Sequence, residues 1–304
     1  MTVCIAAICE IPATLTGLNF PVQAIVGASD RMITSGDVEF EPMGDSPVTP
    51  VLKTLFISQK ITVMTAGDGG IQADLVHQLS QRLQKNQAAT VRDAATIYRE
   101  LFNDTKQRVG TDLILSKFGL TTETFISQQQ QMHPEFIRQI NNHLLNIDLG
   151  SAAIFAGLDD SGAHIYSVGD NGMACDDAVA FSASGVGARH AELQFILADY
   201  TRNKSIFEAM LITYIAKKRS EKAPGVGQLT DMFWISLGTG CRWVEPHQLA
   251  VLEEAYRDLE KRQLEVYRSV RDNFRAAIDE EVKKMREQQQ PPQTSSPTPP
   301  EGSK

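Results

Sequence analysis

The 304-residue chain is short of positive charge: 29 Lys and Arg stand against 37 Asp and Glu, for a formal net charge of −8. That balance argues against a protein held on nucleic acid through phosphate contacts, which need a basic face. No stretch approaches the roughly 18 continuous apolar residues of a membrane span. The apolar opening, Thr2 to Ile8, has neither a basic lead nor a long leucine-rich core, so no signal peptide is expected. Cysteine is scarce. Cys4, Cys9, Cys175 and Cys241 are too sparse for a disulfide framework and show no metal-like spacing, so free thiols in a reducing cytoplasm are the expectation. The six histidines (His77, His133, His143, His164, His190 and His247) do not fall at ligand spacing either. Gly67-Asp68-Gly69-Gly70 and Gly185-Val186-Gly187 both lack the lysine and hydroxyl of a phosphate loop, so neither a metal nor a nucleotide cofactor is expected.

What is present is a clear alternation of strand and helix patterns. Apolar runs at 3–9, 23–29, 55–58 and 61–65 read as strands, the last two forming a tight hairpin, with Pro-, Gly- and Asp-rich connections at 10–22 and 34–52. From Ile71 the apolar residues Leu75, Leu79 and Leu83 recur every four positions, one stripe of a helix. A second helix is expected over 90–108 and a partly helical insertion over about 110–148. Strands return at 152–157 and 163–168 around the turn Asp159-Asp160-Ser161-Gly162, and again at 178–182. Helices at about 187–199 and 204–219 precede a strand at 231–237. Hairpin strands with helices gathered in pairs suggest an α+β fold, two antiparallel sheets sandwiched between two helical layers, over residues 2–240. Residues 246–288 form a separate long amphipathic helix, read either as packing on its own domain or as an oligomer or partner contact. The Gln-, Pro- and Ser-rich residues 289–304 read as a disordered tail.

Thr2 is the candidate nucleophile. Removal of Met1 would leave its α-amine beside its own hydroxyl, and an amine with a pKa of about 7.7–8.0 can accept the hydroxyl proton. Around it stand Ala28-Ser29-Asp30-Arg31, Lys53, Met64-Thr65-Ala66-Gly67, Ala156-Gly157-Leu158-Asp159, Ile165-Tyr166-Ser167 and Ser182-Ala183-Ser184-Gly185-Val186-Gly187-Ala188, in that order. With these segments the chain resembles the proteasome β-subunit family and its bacterial HslV-like relatives, which are N-terminal-nucleophile hydrolases. The likeness spans about residues 2–238, leaving out the insertion and the long helix.

The resemblance implies a four-layer αββα sandwich and a threonine-type peptidase. Thr2 would be the nucleophile and its α-amine the general base. Lys53 would lower the pKa of that amine, and Asp30 would hold Lys53 charged and oriented. The Gly67 N–H would be the oxyanion donor, and Gly67 follows Lys53 at the family's spacing. Ser184 would support the terminal amine together with an acid, which here is Glu221. The family has aspartate there and a serine three residues on, where this chain has Pro224, a residue without a hydroxyl. The steps from Thr2 to Asp30 and from Asp30 to Lys53 are longer than usual, but the extra length falls in loops. Ile33, Val51 and Thr65 align with substrate-pocket positions and imply an uncharged side chain. The implied partners are a peptide or unfolded-protein substrate, further copies of the chain in a homo-oligomer or ring, and an ATPase. Two rival readings stand beside the peptidase: a catalytically silent structural or assembly subunit, and an amidase of non-peptide substrates.

Overall fold

The computed structural model describes residues 2–35, 38–42, 53–85 and 90–288. The chain divides into two units at Leu252/Glu253. The first begins with strand β1 (Cys4–Ile11), a short helix α1 (Ala13–Thr16) and β2 (Val22–Asp30). The hairpin β3 (Ile33–Ser35) and β4 (Val38–Phe40) follows, then β5 (Thr54–Phe56), β6 (Ile61–Gly67), α2 (Gly69–Lys85) and α3 (Val91–Gly110). The insertion holds a π-helical turn at Thr111–Leu115, then α4 (Thr122–Gln128) and α5 (Pro134–Leu145). Next come β7 (Ser151–Asp159), β8 (Gly162–Gly169), β9 (Gly172–Cys175), β10 (Phe181–Ser184), α6 (Ala188–Leu197) and α7 (Ile206–Ser220). Strands β11 (Thr230–Ser236) and β12 (Gly240–Trp243) lead into α8 (Pro246–Gln288).

The result is a mixed α/β fold with two five-stranded antiparallel sheets, ordered β10-β1-β2-β11-β12 and β5-β6-β7-β8-β9. The reason β1 reads as an unbroken apolar run, not an alternating one, is visible in its burial. Every residue from Val3 to Cys9 is fully buried, because β1 is an interior strand covered on both faces, as strands in buried sheets are. Helices α6 and α7 pack on the β10-β1-β2 side of the first sheet, while α2 and α3 pack on the second. The α2/α3 stripe of Leu75, Leu79, Val91, Tyr98 and Phe102 closes over Val63, Ala153 and Phe155 in one core cluster. Strands β1 and β2 also meet β7 and β8, so the two sheets face each other. The insertion carries a small core of its own, Leu115, Phe125 and Ile140.

Two expected features shift. The strand expected at 178–182 begins only at Phe181. The Asp176 carbonyl accepts from both Val179 and Ala180 N–H, and Ala180 takes φ 64°, so the apolar run Ala178-Val179-Ala180 bends into a turn first. Both long connections are partly structured: in 10–22, β1 runs on to Ile11 and α1 follows, and in 34–52, β4 pairs with β3. The expected tail at 289–304 lies outside the described residues.

Gly27 shows how tightly the first sheet is packed. A Cβ built there would lie 2.2 Å from the Phe233 ring and 3.0 Å from the Ile5 carbonyl oxygen. Gly27→Ala is therefore expected to cost about 1–3 kcal/mol through overpacking, and Phe233→Leu in the same chain should recover part of it. Chemical denaturation of both variants checks this, and a Gly27→Ala chain as stable as the parent would show that the ring has room to move.

Unit two is the helix from Glu253 onward. Its polar sides carry ion pairs four residues apart with the acid N-terminal, Glu253–Arg257, Asp258–Arg262 and Glu280–Lys284, the orientation that supports an isolated helix.

Candidate active site

The site forms where β2 ends and β5 begins. The Ser29 and Thr54 hydroxyls, one from each sheet, lie 3.1 Å apart. Their chain neighbours Asp30 and Lys53 form an ion pair at 2.8 Å, with the Asp30 side chain fully buried and Lys53 nearly so. Thr2, just ahead of β1, completes the group: its Oγ1 donates to Asp30 Oδ1 and accepts from Lys53 Nζ. The Asp30 carboxylate also accepts from Val3 N–H at 2.9 Å on Oδ1, and from Met32 N–H at 3.1 Å and Gly227 N–H at 2.9 Å on Oδ2. Five donors thus face one buried carboxylate, which is the condition under which a charge is tolerated away from water. Arg31 turns elsewhere, pairing with Asp231 of β11 at 2.6 Å.

Thr2, Gly67 and Ser184 line one cavity of about 380 Å³, with Ala66, Ser151 and Gly185 among the other walls. The orientation of the Gly67 amide follows from ladder alternation. Asp68 N–H donates to Gly150 O, while Gly67 stands opposite Ser151. Gly67 is therefore a non-hydrogen-bonded position toward β7, and its N–H turns to the β5 side. Glycine is required here: φ is +121°, and a Cβ would overlap the Gly150 carbonyl. Behind it, the buried Gln72 amide donates to the carbonyls of Ala66 and Ala152, at 3.0 and 3.3 Å, and accepts from Tyr98 Oη. That network fixes α2 beneath the end of β6.

Ser184 lies opposite Cys4 in the β1–β10 ladder. The turn after it comes close to Thr2: Gly185, at φ +94°, leaves no space for a Cβ beside the Thr2 carbonyl, and Gly187 N–H donates to that carbonyl at 3.2 Å. The neighbouring Cys4 thiol donates to Thr65 O, and burial pushes its pKa up to about 12. It stays a protonated packing group beside the cluster, not a nucleophile.

Glu221 lies one residue past α7. It caps the end of α7, and its Oε1 is held by Lys217 at 2.6 Å and Lys218 at 3.0 Å. Ile33 and Thr65 are half-buried but are not part of the wall of the Thr2 cavity, and Val51 lies outside the described residues. Sequence reading missed Lys217. It is fully buried, yet it opens the run Lys217-Lys218-Arg219, which reads as a solvated basic last turn of a helix. Burial lowers its pKa, an effect that Glu221 opposes.

Among the described residues no group of three or more His, Cys, Asp or Glu side chains is arranged to hold a metal ion. Chemically, the cluster offers a hydroxyl between a carboxylate and an ammonium, on a residue that lines one cavity with Gly67. No family model and no curated protein matches the chain.

Proposed function

We propose that the chain is a proteasome-like N-terminal-nucleophile hydrolase with a four-layer αββα core, in which Thr2 attacks the carbonyl of a peptide amide. One observation carries the reading: the Thr2 hydroxyl sits between Asp30 and Lys53 at a cavity that Gly67 also lines. After loss of Met1, the α-amine takes the hydroxyl proton as Oγ1 forms the ester bond. Lys53, held by Asp30, places a positive charge beside the developing alkoxide. The Gly67 N–H supports the oxyanion of the tetrahedral intermediate. The amine proton then leaves with the departing amine, and a water activated by the same amine hydrolyses the ester. Ala66, Ala152 and Val186 on the cavity wall favour an uncharged substrate side chain, since Asp68 on the same wall is taken up by the Gly70 and Ile71 amides. The test is the intact mass of the purified chain before and after a β-lactone. Loss of Met1 with a single adduct on Thr2 supports the reading, and a screen of peptides against small amides then separates peptidase from non-peptide amidase.

A second role, assembly with copies of itself, is favoured by α8. Leu264, Tyr267, Val270, Phe274, Ile278 and Met285 recur at near-helical period, and all are exposed. Val270→Glu with Phe274→Glu is expected to lower the solution mass measured by light scattering. An unchanged mass would remove the helix as the main contact, and an assembled chain that never reacts at Thr2 would favour a silent structural subunit.

A further inference from the structure

We propose that the buried Lys217–Glu221 pair is a positioning strut for Asp30, acting through the Gly227 backbone. The kinetic consequence rests on the Thr2-nucleophile reading, whereas the strut itself does not. Lys217 Nζ has three protons and spends all of them: on Glu221 Oε1 at 2.6 Å, Gly227 O at 3.0 Å and Gln228 O at 2.9 Å. Gly227 is therefore held on both sides. Its carbonyl goes to the lysine and its N–H goes to Asp30 Oδ2 at 2.9 Å. A single residue separates the buried cation from the buried carboxylate. The following amides, Gln228 and Leu229, are anchored on Glu41 at 3.1 and 2.8 Å.

The same end of α7 reaches the nucleophile by a second route. Ser220 Oγ shares its one proton between Ala216 O at 2.8 Å and Gly187 O at 3.0 Å, and Gly187 N–H donates to Thr2 O. The last turn of α7 thus sets the nucleophile's carbonyl through Ser220 and its carboxylate partner through Lys217. This gives Glu221 a purpose different from contact with the reacting atoms: it is the counter-ion without which Lys217 would be an uncompensated buried charge. It also accounts for proline at 224, since a strut that works through backbone carbonyls needs no hydroxyl there.

Without Lys217, Gly227 loses its carbonyl anchor, Asp30 Oδ2 keeps only the Met32 amide as a firm donor, and the carboxylate can shift relative to the atoms that Thr2 and Lys53 use. A misplacement of about 1 Å at such a group costs on the order of 100-fold in rate. The experiment is Lys217→Met in the full chain, which keeps the unbranched side chain out to Cε and removes the ammonium. It is read by hydrogen–deuterium exchange and by β-lactone labelling of Thr2, resolved into kinact and KI. The expected result is faster exchange across 225–229 with protection of 206–214 retained, and kinact lower by about 10- to 100-fold with KI unchanged. Unchanged exchange at 225–229 would overturn the strut, and a loosened loop with unchanged kinact would overturn its positioning role. Should Lys217→Met fail to fold, Glu221→Gln keeps the packing and is read in the same two ways, with a smaller fall in kinact expected. A parent chain that never labels at Thr2 defeats the nucleophile reading alone, and the exchange at 225–229 then decides the strut by itself.

Discussion

Thr2→Ala leaves a folded protein that no longer reacts: turnover of uncharged peptide substrates and β-lactone labelling both fall by at least about 10⁴-fold, the size of effect seen when a nucleophile is removed. The fold survives because the substitution takes away only the hydroxyl and one methyl group, and leaves the backbone contacts of Thr2 in place. The 2.8 Å pair between Lys53 and Asp30 stays, as do the Val3, Met32 and Gly227 amides on the carboxylate. Alanine is also small enough for Met1 to be removed, so intact mass should show the same processed N-terminus in both chains. That control separates lost chemistry from lost processing. Thr2→Ser keeps the hydroxyl and should keep the adduct. A parent chain that retains Met1, or a freed Thr2 that never takes the probe, would move the reading to a structural subunit, and labelling that persists in Thr2→Ala would place the nucleophile elsewhere.

Much of the architecture was legible because burial leaves a strong mark on the sequence. The continuous apolar run of β1 reflects a strand covered on both faces, and the four-residue steps from Ile71 to Leu83 reflect the side of α2 that closes on the second sheet. The extent of α8 was legible because Pro246 opens it and its apolar period runs to Met285, near its end. The short strands β9 and β12 were not, because each is an outer strand of its sheet with few residues and half-exposed side chains that leave no periodic signal. In the site, Thr2, Asp30 and Lys53 carry charge or reactivity in the sequence itself, and the structure brings them together. Glu221 shows the opposite case. An acid at the expected spacing is bound by Lys217 and Lys218, because α7 ends one residue earlier and turns its carboxylate back along the helix. Spacing along a chain fixes where a residue sits, and the lysines of the last helical turn fix where its carboxylate is held. Gly227 had no chance of detection, since its contribution is made by backbone atoms that every residue possesses.

Asp30→Asn is expected to harm both stability and reaction, and this sets it apart from Thr2→Ala. An asparagine offers one acceptor oxygen and one donating NH₂ where the structure aims five donors. Whichever way the amide is turned, at least two of them meet a donor, and each unsatisfied buried group costs about 1–3 kcal/mol. Lys53 also keeps its charge in a nearly closed site without its counter-ion. Breaking a buried pair from one side typically costs about 3–5 kcal/mol, so the denaturation midpoint should fall clearly. Because the pair is shielded from solvent, added salt should change that loss little. Labelling at Thr2 should drop by about 10²–10⁴-fold, since the hydroxyl loses the acceptor that orients it and the cation loses its anchor. The double variant Asp30→Asn with Lys53→Met distinguishes the two contributions. Removing the orphaned cation should restore part of the stability while reaction stays lost, because no charge remains to stabilise the alkoxide. A double variant that recovers neither would place the cost in the backbone amides of Val3, Met32 and Gly227, and an Asp30→Asn chain that labels at the parent rate would show that the carboxylate has no part in the chemistry.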